Sequence, residues 1–420
     1  MDSWHDRRYA IPGVLSAAFL IRLAALYVHP IRDSLYSDMG NYTAIADQLH
    51  SGPWRATHFF QPIGFPSIVL VFKSVFSDWS NTLGLFQVAI STATVWLVSH
   101  GARRAFGPQV GLLTAAVAAF HVPWVFLATV ALPETTFTFL LSVLSWVTVK
   151  VLERGSTGWS LLWGLVFYAT FIVKGSHGFF GPLFLLGVLT WKSWSRDVVT
   201  KIAVPVSAIV GAGLLLHGAL TYRAIGAFEM VPTEGGLNFV EGKCPYKRNV
   251  DSTGRRWFSP LYHQLGRTEA KRWDRPFTDH RYFMSEGLKC IRDNPLVLAT
   301  SLEGIPFLFV GNTLWPASQF ATAPLTRAYD LVFGLWLIVG LATGYRLLWR
   351  RSQRWPTFIA WALPFIGLCL TVYIFKSEIR FRVPFDVWLI PVAMSGWMAM
   401  FAKRGAPPIE FFSPGKVSPP

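Results

Sequence analysis

The chain has 420 residues, of which 52% are hydrophobic and only 15% charged. Apolar runs of about 20 residues, long enough to cross a bilayer, recur through most of it, which excludes a string of soluble domains and points to one polytopic membrane protein. The net charge of +15 reads as Lys and Arg facing anionic lipid on the cytoplasmic side, and no basic tract interleaved with aromatics is long enough to argue for nucleic acid.

At the N-terminus HDRR precedes an apolar segment, 11–28, that Arg22 interrupts; it reads as a retained helix, not a cleaved signal. Further spans are expected at 82–101, 109–127, 132–150, 159–174, 178–191, 201–220, 329–349, 356–376 and 385–402. An even number of spans puts both termini on one side. Arg7, Arg8, Arg103, Arg104, Lys192, Arg196, Arg346, Arg350, Arg351, Arg354, Lys403 and Arg404 all fall on that side, with Lys150 and Arg154 in agreement. By the positive-inside rule it is the cytoplasm.

The pieces 62–77 and 296–316 carry Pro, and the second also carries Glu303. Both are read as helices lying in the outer interface. The expected architecture is thus α-helical and polytopic, with about 10 spans in a single membrane-embedded domain over 1–420. Two long loops lie outside, 29–81 and 221–328; loops of this length are usually functional. Cys244 and Cys290 share the second loop; a disulfide there and two free thiols are both compatible with the sequence. EGG and DSTG mark turns in that loop, and the tail 405–420 is expected to be disordered.

The chain contains no Walker A sequence, no strand-linked G-x-G-x-x-G and no pair of His or Cys at a metal-site spacing. The polar groups that call for explanation gather on the outer face. Asp38, in YSDMGNY, taken alone is a solvated loop acid. Glu134, in LPETTF, follows Pro133 at a helix start, where a carboxylate also serves the helix dipole. Lys174 and His177, in VKGSHG, break two apolar runs; snorkelling to headgroups is the plainer reading of the cation. Lys376, Arg380 and Arg382, in FKSEIRFRVPFD, put three cations within seven residues on the side where cations are depleted. Guanidinium forks match phosphate oxygens, so this cluster is read as a phosphate site.

The order of these stretches resembles the membrane-embedded glycosyltransferases of the GT-C class, in the branch that holds protein O-mannosyltransferases and bacterial aminoarabinose transferases. The resemblance runs from Arg22 to Ala399. It is carried by SDMGNYTAIADQLHSG followed by FFQPIGFP, then ARRAFG and LPET, then GGLNFVEG at 235–242 and RFRVP at 380–384. Such enzymes use polyprenyl-phosphate sugars on the extracytoplasmic side of the cell membrane (the inner one where there are two).

The resemblance implies a catalytic Asp38 with Glu134 bordering the same cavity. Tyr42 would line the donor phosphate site, Lys174 and Arg380 would contact the phosphate, and Gln61, His177 and Asn238 would line the substrate cavity. Two departures stand out: Met39 occupies the place of a second acid, and Gln61 that of a Lys or His before the Pro of the turn.

The chemistry fits this inventory. The leaving group is already a good anion, so the protein must neutralise phosphate charge and take a proton from an acceptor hydroxyl; a single displacement inverts the anomeric centre. The expected partners are a polyprenyl-phosphate sugar, membrane lipids and an extracytoplasmic acceptor, with no nucleic acid. The residues demand no cofactor, and a divalent metal stays open. A lipid-linked glycan ligase or polymerase, or a transporter of a lipid-linked sugar, are the alternatives; the chain shows no repeated halves of the kind transporters carry.

Overall fold

The computed structural model describes residues 4–51, 54–244, 248–250, 256–258, 280–311, 314–317, 323–350 and 354–401. Arg351, the DSTG turn, Lys403, Arg404 and the tail 405–420 lie outside them. The described chain is almost wholly helical. In order, it runs α1 (Trp4–Val28), α2 (Ser37–Ser51), α3 (Gly64–Val75), α4 (Trp79–Phe106), α5 (Pro108–Ala119) and α6 (Val122–Leu127). Then come α7 (Glu134–Arg154), α8 (Thr157–Val173), α9 (Phe180–Trp191) and α10 (Arg196–Ile225), the last with a π turn near its start. The second long loop holds α11 (Glu234–Lys243), α12 (His280–Asp293) and α13 (Val297–Val310). The last elements are α14 (Ala323–Trp349), α15 (Arg354–Trp361), α16 (Leu363–Ile374) and α17 (Ile379–Phe401). Two three-residue strands, β1 (Arg248–Val250) and β2 (Arg256–Phe258), pair antiparallel.

Among the described residues six helices, α1, α4, α7, α10, α14 and α17, are long and apolar enough to cross a membrane. The other four expected spans fall on shorter or broken helices. The piece 159–174 is α8, and 178–191 is α9. The piece 356–376 is α15 and α16, bent by 46° where Pro364 opens α16 without a backbone N–H to give. The piece 109–127 is broken at His121 into α5 and α6, with Pro123 in the first turn of α6.

That break explains Arg22. The carbonyls of Ala118 and Ala119 at the end of α5 accept hydrogen bonds from its guanidinium at 3.2 and 2.9 Å, and Ser91 Oγ accepts another at 2.7 Å. The side chain is fully buried: a cation in the first helix satisfies orphan carbonyls at the negative end of another. The two Pro-bearing pieces form the short helices α3 and α13.

One apolar core runs through the bundle, from Ala18 on α1 to Met394 on α17. Here α14 packs along α17, α4 against α5 and α7, and α8 against α7 and α10. A small second core, made of Leu237, Val240, Cys244 and Phe283, joins α11 to α12, and a Cys244–Cys290 disulfide ties the same two helices.

The ends of the bundle differ in charge. At one, Arg104 Nε donates to Glu153 Oε1 at 2.7 Å, in company with Arg103, Arg154, Lys192, Arg196, Arg346 and Arg350 at the ends of α4, α7, α9, α10 and α14. The start of α7 and α17 and the end of α8 and α16 meet at the other end, under α2 and α11.

Candidate active site

A cavity of about 490 Å³ opens at this second end of the bundle. Its floor and wall are apolar, made by Phe167, Phe171, Phe179, Pro182, Val210 and Leu214 of α8, α9 and α10 and the turn between α8 and α9; its roof is polar and comes from α2, α7, α11 and the start of α17. Asp38 and Tyr42 sit one turn apart on α2 and therefore share its inner face. Met39, between them, is buried in the core, so the place of a second first-loop acid faces away from the cavity.

Glu134 is fixed where α7 begins. Its Oε1 accepts from Lys174 Nζ at 2.6 Å and lies 3.4 Å from Arg380 Nε; its Oε2 is buried with no hydrogen-bond partner among the described residues. Arg380 also donates to Asp38 Oδ2 at 3.2 Å and lies over the Trp315 ring at 4.6 Å, while Lys174 lies over Phe381 at 5.4 Å. Lys376 pairs with Glu241 of α11 at 2.7 Å and lies 3.7 Å from Glu378. The cation cluster expected from FKSEIR is thus not a bare basic patch. The charged lining comprises three acids, Asp38, Glu134 and Glu234, and three bases, Lys174, Lys376 and Arg380.

The two cavity acids paired with Arg380 differ sharply in access. The Asp38 side chain keeps 32% of its surface exposed, that of Glu134 only 1%. Burial, followed by the charges of Glu234, Asp38 and Glu134, holds the Tyr42 phenol well above its ordinary pKa, so it stays a hydrogen-bond donor.

Two expected contacts lie elsewhere. Arg382 is buried with its Nη2 3.5 Å from Asp386 Oδ2, between the rings of Phe309 and Phe333. Asp386 also meets His121 Nε2 at 3.1 Å. The reason is local: the chain is already helical at Ile379, and residues two apart on a helix point to opposite sides, so Arg380 faces the cavity and Arg382 the core. His177 is fully buried, its ring nitrogens 3.2 and 3.3 Å from the carbonyls of Phe167 and Lys174, so it steadies the turn between α8 and α9 behind the lining. Gln61 and Asn238 line the cavity as expected.

The sequence reading missed Glu234 and His280. Glu234 stands immediately before GGLNFVEG and opens α11, one turn before Asn238. Burial pushes its carboxyl above the ordinary range and Asp38 adds to this, against the pull of Lys376, Arg380 and Lys174. The glycines of that motif have a packing reason. A Cβ on Gly236 would lie 2.6 Å from the His280 carbonyl oxygen, and one on Gly242 2.5 Å from that of Phe375; only a bare backbone lets α11 sit this close to α12 and to the segment carrying Lys376. Among the described residues no group of three His, Cys, Asp or Glu side chains is placed to hold a metal ion.

Residues 61–217 match the sequence model of the dolichyl-phosphate-mannose-protein mannosyltransferase family. The match takes in α3 to α9 and most of α10, with Gln61, Glu134 and Lys174 of the cavity, and agrees with the glycosyltransferase resemblance carried by the motifs. Among solved structures, the chain is similar to the crystal structure of ArnT from Cupriavidus metallidurans bound to undecaprenyl phosphate, at 16% identity and a TM-score of 0.42, covering 92% of this chain and 77% of that one. No curated protein sequence matches the chain.

Proposed function

We propose that the protein transfers a sugar from a polyprenyl-phosphate donor to an acceptor hydroxyl on the extracytoplasmic face of the membrane. The observation that carries this reading is the composition of one cavity: an apolar wall along α8, α9 and α10 beneath a roof where Lys174 and Arg380 converge on Glu134. An amphiphile with a prenyl tail and a phosphate head fits both halves. The family match over 61–217 supports the same donor class. The side is supported by the cations massed at the opposite end, which by the positive-inside rule face the cytoplasm, and by the Cys244–Cys290 disulfide, which persists in oxidising compartments.

The residues divide the work as follows. Lys174, Arg380 and Lys376 neutralise the phosphate as its charge develops, and the protonated Tyr42 donates to one of its oxygens. Glu134 is too buried to reach an acceptor; it is a positioning residue that sets the distance between Lys174 and Arg380. Asp38, exposed to the cavity and hydrogen-bonded by Arg380, takes the proton from the acceptor hydroxyl. The hydroxyl oxygen attacks the anomeric carbon from the face opposite the phosphate, the bond to the phosphate oxygen breaks with its electron pair, and the configuration inverts.

The test is incubation of the purified protein with a panel of labelled polyprenyl-phosphate sugars, with envelope fractions as acceptor source, scoring release of polyprenyl phosphate and labelled product. Asp38→Asn is expected to lower turnover at least about a hundredfold, the scale of a general base, with donor binding retained. No release from any donor overturns the activity, and full turnover in Asp38→Asn removes Asp38 from the base role.

A further inference from the structure

The cavity roof has two chemically distinct halves. On one side Lys174 and Arg380 gather around Glu134. On the other, α11 offers Glu234 and Asn238 from one helical face, with Gln61 and His280 beside them. Lys376, the strongest cationic influence on Glu234, is taken up by Glu241, and two polar atoms of this second half are unsatisfied among the described residues. Among the described residues Gln61 Oε1, in a residue that is 7% exposed, is buried without a hydrogen-bond partner, and His280 Nδ1 likewise lacks one. Among the described residues no ion pair or hydrogen bond occupies the Glu234 carboxyl.

The four groups are held together by construction. The backbone N–H of Glu234 donates to the carbonyl of Phe60, next to Gln61, at 2.9 Å, and that of Thr233 to Phe59 at 3.0 Å. At the far end, the Cys244–Cys290 disulfide and the close approach of Gly236 to His280 fix α11 on α12. Unpaired buried polar atoms cost folding free energy; a rigid set of them facing one cavity implies a ligand that completes them.

We propose that Glu234, Asn238, Gln61 and His280 form a subsite for the hydroxyl groups of the donor sugar. A carboxyl, two carboxamides and an imidazole supply mixed donors and acceptors, as vicinal hydroxyls require, whereas a phosphate selects cations. The sugar is bonded directly to the phosphate, so a phosphate held at Lys174 and Arg380 leaves the ring within the same cavity, where Glu234 already interacts electrostatically with both. This inference rests on the glycosyltransferase reading and adds which wall selects the sugar.

The experiment compares the binding of undecaprenyl phosphate with that of undecaprenyl-phosphate hexoses (glucose, mannose and galactose) to the full-length protein in nanodiscs. The wild type is expected to bind one of the hexose lipids more tightly than the bare phosphate. Glu234→Ala and Asn238→Ala should each weaken that hexose lipid at least about tenfold, as loss of a hydrogen bond in a closed site does, and neither should weaken the bare phosphate, which loses a repelling charge in Glu234→Ala. Glu234→Gln, which keeps the hydrogen-bonding shape, should restore most of the affinity and keep turnover, moving KM rather than kcat. An intact disulfide on a non-reducing gel checks that α11 stays docked on α12.

Equal losses for both lipids in the Ala variants, no loss for either, or a collapse of kcat in Glu234→Gln at unchanged KM would each overturn the subsite. A wild type that binds bare and glycosylated lipid equally would also overturn it, leaving the phosphate site intact. A wild type that binds neither overturns the glycosyltransferase reading itself.

Discussion

Replacing Glu134 by Gln keeps the volume of the side chain and its hydrogen bond with Lys174 but removes one negative charge from a cavity whose lining is balanced, three acids against three bases. A phosphate oxygen bound to Lys174 Nζ at about 2.8 Å lies within about 5.4 Å of Glu134 Oε1, because Nζ and Oε1 are 2.6 Å apart. A unit repulsion at about 5 Å is worth about 0.8 kcal/mol at the dielectric of water and about 3 kcal/mol at the effective value near 20 that suits partly buried sites. The dissociation constant of undecaprenyl phosphate should therefore fall by a factor of about 4 to about 200 in Glu134→Gln. In the proposed reaction a polyprenyl phosphate is also the product lipid, so its slower release should lower steady-state turnover while a single turnover is slowed less. Without ligand the variant leaves Lys174 and Arg380 short of a counter-charge, a loss of about 3–5 kcal/mol for a buried pair; added polyprenyl phosphate should raise its melting temperature more than that of the wild type. The assay is a titration of undecaprenyl phosphate against both proteins, followed by a thermal melt at saturation. Weaker binding in the variant, with an unchanged melting increment, would refute the idea that Glu134 spaces two phosphate-binding cations.

Opening the Cys244–Cys290 link, which spans 46 residues, should cost about 4 kcal/mol by chain entropy; Cys244→Ser should melt earlier than the wild type, and a reductant should move only the wild type. Arg22→Leu leaves the Ala119 carbonyl without its buried donor, at about 1–3 kcal/mol, while Ala118 keeps the His121 N–H, and should lower the monodisperse yield in detergent without altering donor KM in the protein that folds. Lys243 Nζ donates to Ser301 Oγ at 2.6 Å and to the Tyr373 carbonyl, and burial pulls its pKa down to about 8. The folded chain thus holds fewer protons than the unfolded one between pH 8 and the free-lysine value near 10.5. The cost of burying the charge is full below pH 8 and is relieved as pH rises through that window. Wild-type stability measured relative to Lys243→Met should rise there; a flat difference would refute the shift.

Much of this architecture was legible because membrane helices announce themselves by composition. The ten expected spans each fall on helix, and those cations assigned to one face that lie among the described residues gather at one end of the bundle. What was not legible were the breaks. Residues 109–127 read as one apolar run because nothing in the run itself reports that Arg22, almost a hundred residues earlier, satisfies the carbonyls freed at its middle. The cavity lining was legible at Glu134, Lys174 and Arg380, which stand on short connections where a charge is costly; Asp38, in a long loop, was marked by the family resemblance alone. Glu234 was not, because an acid in a long polar loop carries no such cost until the fold presses that loop onto the bundle. Cys244 and Cys290 pair in the structure, a choice the sequence left open because spacing alone says nothing about separation in space.

Arg22, Arg380 and Arg382 make the general point about reading a cation in an apolar chain. All three are misplaced by composition, yet their counter-groups separate them. Arg22 is answered by helix-end carbonyls, and Arg382 sits by Asp386 between two aromatic rings; neither faces a cavity, so a ligand has nothing to displace. Arg380 is answered by two carboxylates of unequal burial, one of them open to a cavity with an apolar wall. An ion pair in which one partner is rigid and the other accessible can exchange its accessible half for a substrate group at small cost, since the buried half still fixes the geometry. Under the proposed function, that asymmetry between Glu134 and Asp38, rather than the number of cations in the RFRVP stretch, is what fits the second end of this bundle to a phosphate group.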